Sequence, residues 1–465
     1  MALRFKNTLT RQVEDFVPIK EGEVRMYTCG PTVYSYAHIG NFRTFMFEDL
    51  LRRYLKYKGY KVNQVMNITD IDDKIIRDSI KQNKNLQEFT APFTKAFFED
   101  IETLGIEKAD HYPHATEYIP QMVEIVKQLK ANDMAYEIDG NYYYRISAYK
   151  EYGKLAHLDM EGLKPGARVA ADEYAKDSVS DFALWKAWDE KDGNIFWETD
   201  IGKGRPGWHL ECSAMSMNLL GQQFDIHTGG VDNIFPHHEN EIAQSEGATG
   251  KKFVNYWMHS EHLIVEGKKM SKSLGNFFTL RDILDKGYSG KAVRFVLIST
   301  HYRQQLNFTF EGLDAASNSL ERHNDFIANL KQYGGDESDG SAREILDRVQ
   351  REFEAALDDD LNISGALGAV FDFIRDINRL KAEDKLSVQE RDKALEIMKK
   401  FDTVLNFTSD REEFLDVQVE ALIQKRNNAR KSKDFATSDK IRDQLIEMGI
   451  ILEDTPQGVR WKRKV

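Results

Sequence analysis

The chain has 465 residues, of which 41% are hydrophobic and 30% charged, and its net charge is −12 at neutral pH. That balance excludes disordered and fibrous classes and supports a globular core divided among about two to four domains. Residues 1–23 carry no apolar run of signal-peptide length, and no stretch reaches the ~18 apolar residues of a membrane span.

The first periodic region is a β-α-β unit. Glu23 to Thr28 has strand composition and runs into the turn signal Cys29-Gly30-Pro31. A helical pattern follows from Asn41 to Lys58, with Phe42, Phe45, Met46, Leu50, Leu51, Tyr54 and Leu55 on one face, and Tyr60 to Ile68 reads as a second strand. Residues 114–134 predict an amphipathic helix, and two strand-like runs beyond it meet at Asp139-Gly140, a hairpin dipeptide. Residues 147–207 are polar and without a clear period, so they read as an insertion in the sheet domain. Alternation resumes at Trp208, with a helix from Glu211 to Leu220, started by Cys212, and a strand from Gln223 to Thr228 before Gly229-Gly230. A further helix is expected to begin at Pro236. Strand-like Phe253 to Trp257 and His262 to Val265 precede a lysine-rich loop, and Leu313 to Leu405 is helical and highly charged.

Charge is unevenly placed. Residues 421–465 hold eleven Lys and Arg against six Asp and Glu, and the chain closes on Arg460-Trp461-Lys462-Arg463-Lys464. An aromatic among cations can follow phosphates and stack a base, although a solvated basic terminus has the same composition.

Two separated segments suggest a grip on a nucleotide triphosphate. His38 and Asn41 fall at the N-terminus of the first crossover helix, where free N–H groups and the helix dipole favour anions. Lys269 and Lys272 lie in Gly267-Lys268-Lys269-Met270-Ser271-Lys272-Ser273-Leu274-Gly275, a glycine-bounded loop whose ammonium groups can close on phosphates. In isolation such a loop is more often a surface turn; the helix-terminal anion site upstream and the absence of a GxxxxGK[ST] segment favour the nucleotide reading.

Cys29 and Cys212 are the only cysteines, which points to a reducing compartment. With His237 and Glu241, four apart on one helical face, they form a set competent for zinc. No CxxC pair supports that set, and small buried hydrophobes explain two lone cysteines equally well.

The blocks Thr28-Cys29-Gly30-Pro31-Thr32-Val33-Tyr34, Ala37-His38-Ile39-Gly40-Asn41, Asn67-Ile68-Thr69-Asp70-Ile71-Asp72-Asp73-Lys74, Gly204-Arg205-Pro206-Gly207-Trp208-His209, Glu211-Cys212-Ser213-Ala214-Met215, Phe235-Pro236-His237-His238-Glu239-Asn240-Glu241 and Lys269 to Ser273 occur in that order, ending in His301-Tyr302-Arg303. On these residues the chain resembles class I aminoacyl-tRNA synthetases and, among them, the cysteinyl-tRNA synthetase family.

The resemblance implies an α/β fold: a Rossmann-like parallel-sheet catalytic domain in two halves (residues 1–113 and 205–265) with a connective insertion (114–204). A mobile lysine loop and stem-contact region (266–312), a helical bundle (313–408) and a small basic anticodon-binding domain (409–465) would follow. It implies Zn2+, one per chain, on Cys29, Cys212, His237 and Glu241, taking the sulfur of L-cysteine as a further ligand. ATP with Mg2+ is expected at His38, Asn41, Gly229, Gly230, Asp232 and Lys272, with Lys269 in support. Gly30, Thr69 and Trp208 would line the amino-acid pocket; core packing is the other reading of Trp208, and a helix-capping role that of Asp232. At the fourth signature position, often histidine in such enzymes, Asn41 offers a neutral donor. The implied partners are ATP, L-cysteine and tRNA(Cys), with no membrane, for a cytoplasmic monomer. A related ligase that joins cysteine to an amino-sugar shares the activation core but lacks the C-terminal part retained here.

Overall fold

The computed structural model describes residues 2–158, 181–335, 338–408, 419, 422–423, 425–427, 429–430, 434–455 and 458–463, without the side chains of Lys272, 453–455, 458–460 and 462–463. At its centre is a parallel sheet of four strands in the order Val254–Ser260, Phe224–Gly230, Glu23–Thr28, Lys61–Met66. Glu23–Thr28 alternates half-buried and buried residues at its start and is wholly buried at its end, as expected of a strand covered on both faces. The chain crosses to one side through the Ile39–Tyr57 helix and later returns on the other, so the strand order reverses beside Glu23–Thr28. In such sheets the ligand crevice opens at the C-terminal ends of the strands flanking that reversal.

The insertion is more regular than its composition suggested. Ala135–Ile138, Asn141–Tyr144, Phe182–Ala187, Gly202–Pro206 and Trp197–Thr199 form, in that order, an antiparallel five-stranded sheet. Residues 159–180 of the insertion lie outside the described residues. The helix expected over 114–134 is a short 3-10 turn, Ala115–Tyr118, followed by an α-helix at Ile119–Ala131 whose apolar face joins the core under the sheet.

Several boundaries move. The helix expected from Glu211 spans Trp208–Leu220, which puts Cys212 in its second turn rather than at its start. Phe224–Gly230 runs on through Gly229 and Gly230, two residues past the strand end expected at Thr228. The helix expected at Pro236 is one wide turn, Ile234–His238, kinked at Phe235, and the regular helix begins at Glu239.

Beyond the sheet, Phe310–Lys331, Ser341–Asp358, Ile363–Ala382 and Val388–Leu405 form the helical region. One buried apolar cluster runs from Met26 and Phe42 through Val296 to Leu320, Phe353 and Phe401, so sheet and bundle share a core. At their junction the fully buried Arg294 donates to Asp49 Oδ2 (2.6 Å), Leu405 O (2.7 Å) and Gly105 O (3.1 Å). The Phe435–Glu447 helix and the hairpin Ile450–Thr455/Gly458–Arg463 belong to a separate small cluster around Val419, Ile423, Leu445 and Ile450, with Trp461 packed on it.

Candidate active site and metal centre

A cleft of about 980 Å³ opens at the C-terminal ends of the parallel strands, lined by Cys29, Gly30, Trp208, Gly230 and Ser260 among others. At one end stand the two nucleotide-grip segments. His38 caps the Ile39–Tyr57 helix reciprocally: its Nδ1 accepts from Asn41 N (3.2 Å), and its own backbone N–H donates to Asn41 Oδ1 (3.0 Å). Asn41 therefore spends its carbonyl oxygen on the cap, and its exposed amide NH2 is the end left facing solvent. Across from it, Ile39 N–H donates to Phe278 O (3.0 Å) and the His38 ring meets Phe277 edge-on at 5.0 Å. A Cβ added at Gly40 would lie 3.2 Å from Met270 Cε, so the lysine loop rests directly on the helix start. Lys269 is exposed on the cleft wall; the Lys272 side chain is outside the described residues.

At the other end Cys29, Cys212, His237 and Glu241 converge, each with a donor atom within 4.8 Å of the others. They arrive from the end of one central strand, from the Trp208–Leu220 helix and from the turn into the Glu239–Thr249 helix. An overlapping set replaces Cys212 and His237 with His227 and His238. Hydrogen bonding separates the two. His238 has both nitrogens engaged, with Cys29 Sγ (3.2 Å) and His259 Nε2 (2.8 Å), and His259 Nδ1 reaches Thr8 Oγ1 (2.8 Å). His227 Nε2 is 2.9 Å from Glu241 Oε2. In contrast His237 is held at Nδ1 by His209 (2.9 Å), leaving Nε2 beside Glu241 Oε1 at 3.1 Å, and that oxygen is buried without a hydrogen-bond partner. An orphaned carboxylate oxygen beside a free imidazole nitrogen and two sulfurs is the donor set of a tetrahedral soft-metal site. The residues around it behave as outer supports that orient the ligands.

Electrostatics agree with a cation-seeking centre. Burial holds His237 and His238 well below the usual imidazole range, in the neutral form a metal requires, and it pushes the Glu241 carboxyl well up. The hydrogen bond with Cys212, together with burial, raises the Cys29 thiol well above its ordinary value.

Of the remaining expected residues, Gly30, Trp208, Gly230 and Asp232 line the same cleft, whereas Thr69 and Gly229 do not. Trp208 is 45% exposed, lines the cleft and stacks on His237 with ring centroids 4.3 Å apart, which removes the core-packing reading. Thr69 is buried, pinned by Val33 N–H to its carbonyl (3.0 Å) and by its own N–H to Pro31 O (3.0 Å). Gly30 is forced by space: a Cβ there would fall 1.8 Å from Asn67 O. Gly230 and Asp232 line the cleft, whereas Gly229 lies behind its wall, where an added Cβ would meet His238 at 2.8 Å. Asp232 stands in the short 3-10 turn Val231–Asn233. Sequence reasoning missed Glu211, His209, His227, His238 and His259; the first two and His238 sat inside recognised blocks, but nothing in spacing assigned them a partner.

Residues 15–318 match the family described as the class I (C) tRNA synthetase catalytic domain. The chain belongs to the cysteinyl-tRNA synthetase family. Residues 352–408 match a DALR domain and 414–461 a cysteinyl-tRNA ligase anticodon-binding domain. A cysteine–tRNA ligase of Protochlamydia amoebophila is 53% identical over 99% of this chain and 98% of its own length, and one of Brachyspira hyodysenteriae is 50% identical over 99% of each. In fold, the chain is similar to a Mycobacterium tuberculosis methionyl-tRNA synthetase in complex with methionyl-adenylate (TM-score 0.60, 15% identity, 83% of this chain and 90% of that one). As a family member it is a class I aminoacyl-tRNA synthetase, and among the described residues no helix is long and apolar enough to cross a membrane.

Proposed function

We propose that this chain activates L-cysteine with ATP to cysteinyl-adenylate and transfers the acyl group to the 3′-terminal adenosine of tRNA(Cys), acting as a cytoplasmic monomer. One observation carries the reading: a single cleft joins a soft-metal donor set at Cys29 to a phosphate-favouring helix terminus at His38 and the lysine loop at Lys269. The substrate carboxylate attacks the α-phosphorus of ATP and pyrophosphate leaves, with Mg2+ accompanying the nucleotide. Such a displacement needs positioning and charge stabilisation more than a protein acid or base.

His38, held by the cap, and Asn41, which offers its amide NH2, stand at the phosphate end of the cleft with the helix dipole behind them, and Gly230 and Asp232 flank the nucleotide. Because Asn41 is neutral, stabilisation of the departing pyrophosphate falls to Lys269 and Lys272. Cys29, Cys212, His237 and Glu241 would hold one Zn2+, whose chemistry there is selection, since a soft cation holds a thiolate and serves the hydroxyl of serine poorly. Gly30, Thr69 and Trp208 shape the amino-acid end of the cleft. Residues 409–465 would read the anticodon region, with Trp461 and its cationic neighbours touching the nucleic acid.

The amino-sugar ligase reading shares the first half of this chemistry. The match of residues 414–461 to an anticodon-binding domain supports tRNA as the acceptor instead. Cysteine-dependent pyrophosphate exchange followed by tRNA(Cys) charging tests the proposal. No exchange with cysteine rejects it outright, and exchange with charging of an amino-sugar but not of tRNA turns it to the rival.

A further inference from the structure

The amino-acid end of the cleft contains a carboxylate without a counter-charge. Glu211 lies one residue before Cys212 on the Trp208–Leu220 helix, is 1% exposed and lines the cleft. Its Oε2 accepts a hydrogen bond from Thr69 Oγ1 (3.0 Å). Among the described residues no Lys, Arg or His forms a hydrogen bond or an ion pair with it. Asp73, on the same wall, differs: it is ion-paired to Lys186 (3.1 Å) and Arg205 (2.6 Å). A buried carboxylate that lines a ligand cleft without a cationic partner is costly unless a ligand brings the missing positive charge.

Its position is tied to that of the cysteine sulfur. Gly30 N–H donates to Asn67 Oδ1 (2.9 Å), Asn67 Nδ2 donates to Thr69 Oγ1 (3.0 Å), and the Thr69 hydroxyl donates to Glu211 Oε2 (3.0 Å). Gly30 follows Cys29, so this chain of bonds fixes the carboxylate relative to the metal-binding set at both Cys29 and Cys212. In cysteine the sulfur and the ammonium nitrogen are separated by only three covalent bonds, so a sulfur site and a cation site must be near neighbours to be filled together.

We propose that Glu211 binds the α-ammonium group of the amino acid and thereby determines specificity for an amino-thiol over thiols without an amine. This rests on the activity proposed above and adds a second recognition point to it.

The test compares ligands on the full-length zinc-loaded chain by calorimetric titration: L-cysteine and cysteamine, which carry an ammonium, against 3-mercaptopropionate, which does not. Glu211→Gln keeps an acceptor for Thr69 and removes the charge. It is expected to weaken cysteine and cysteamine by roughly tenfold to a hundredfold, as for loss of a charged hydrogen bond, while 3-mercaptopropionate is unchanged or tighter. Zinc content, measured alongside, should stay at the wild-type level. Equal weakening of all three thiols, no weakening of any, or a fall in zinc content overturns the proposal. Should E211Q not fold, Glu211→Asp carries the comparison: it keeps the charge but withdraws it by one methylene, so the preference for amino-thiols should shrink, and an undiminished preference overturns the idea. A wild-type chain that binds no cysteine sinks both this inference and the proposed activity, whereas cysteine binding with an unaltered ligand ratio in E211Q sinks this inference alone.

Discussion

His227 offers a way to perturb the metal centre without touching a ligand. It is fully buried on the Phe224–Gly230 strand, with Nε2 2.9 Å from Glu241 Oε2 and its ring stacked on Trp257 at 4.6 Å and 20°. Burial holds this imidazole down to about 3, so it is neutral, and its Nε2 shares one hydrogen bond with the Glu241 carboxyl group. His227→Phe preserves the aromatic packing and deletes that hydrogen-bond partner. Glu241 then has one oxygen facing the site, already without a hydrogen-bond partner, and a second newly deprived of one. Loss of such an orienting partner is worth about 10- to 100-fold in metal affinity, or about 1.4–2.7 kcal/mol. The metal-free variant should also lose about 1–3 kcal/mol of stability for the unsatisfied group. Chelator competition on the full-length protein gives the first number and urea titration after metal removal the second. A zinc affinity within about twofold of wild type (under about 0.5 kcal/mol) would refute the claim that His227 orients the carboxylate.

Two further substitutions probe the surroundings. Glu48 is buried, with Oε1 accepting from Thr228 Oγ1 (2.8 Å) and Oε2 unpartnered, and burial pushes its carboxyl up to about 8 from 4.5. The unfolded chain releases this proton first, so the wild type should lose about 1.4 kcal/mol per pH unit as pH rises between those values. Glu48→Gln should remove that slope; parallel urea stability profiles for the two proteins from about pH 5 to about pH 8 would count against it. Gly30→Ala places a Cβ 1.8 Å from Asn67 O and forces the backbone beside Cys29 to shift. Its KM for cysteine in pyrophosphate exchange should rise by roughly tenfold or more, while that for ATP changes little; equal changes in both would point to general misfolding.

The β-α-β unit was legible because its helix keeps a periodic apolar face and its strands end on turn signals. The inserted sheet was not. Phe182–Ala187 is apolar without alternation, and Gly202–Pro206 combines two glycines with a proline, residues that disfavour strands in isolation. The latter becomes a strand because it is flanked by Phe182–Ala187 and Trp197–Thr199, partners that local pattern cannot announce. The Trp208–Leu220 helix starts earlier than expected, behind a glycine N-cap that offers no side-chain signal. Residue types alone made Cys29, Cys212, His237 and Glu241 only one reading among others; family blocks and then a shared point in space brought them together. Their supports, His227 and His259, come from two neighbouring strands and carry no spacing rule.

The apolar cluster that runs unbroken from the parallel sheet into the helical bundle, and the buried Arg294 that bridges them, bear on how this protein comes apart. A chain cut near residue 312 would not yield a free-standing catalytic half, because Tyr54 would lose Glu354 O and Asp358 Oδ1, Tyr57 would lose the Phe353 ring, and the Arg294 guanidinium would be stripped of its Leu405 acceptor. Sheet and bundle should therefore melt as one cooperative block under heat or denaturant. Among the described residues the small terminal cluster around Val419 and Leu445 shares no member with that block, so its loss should leave the main transition in place. The activation proposed for the cleft and the tRNA contact proposed for residues 409–465 thus sit on parts of the chain whose stabilities can change independently.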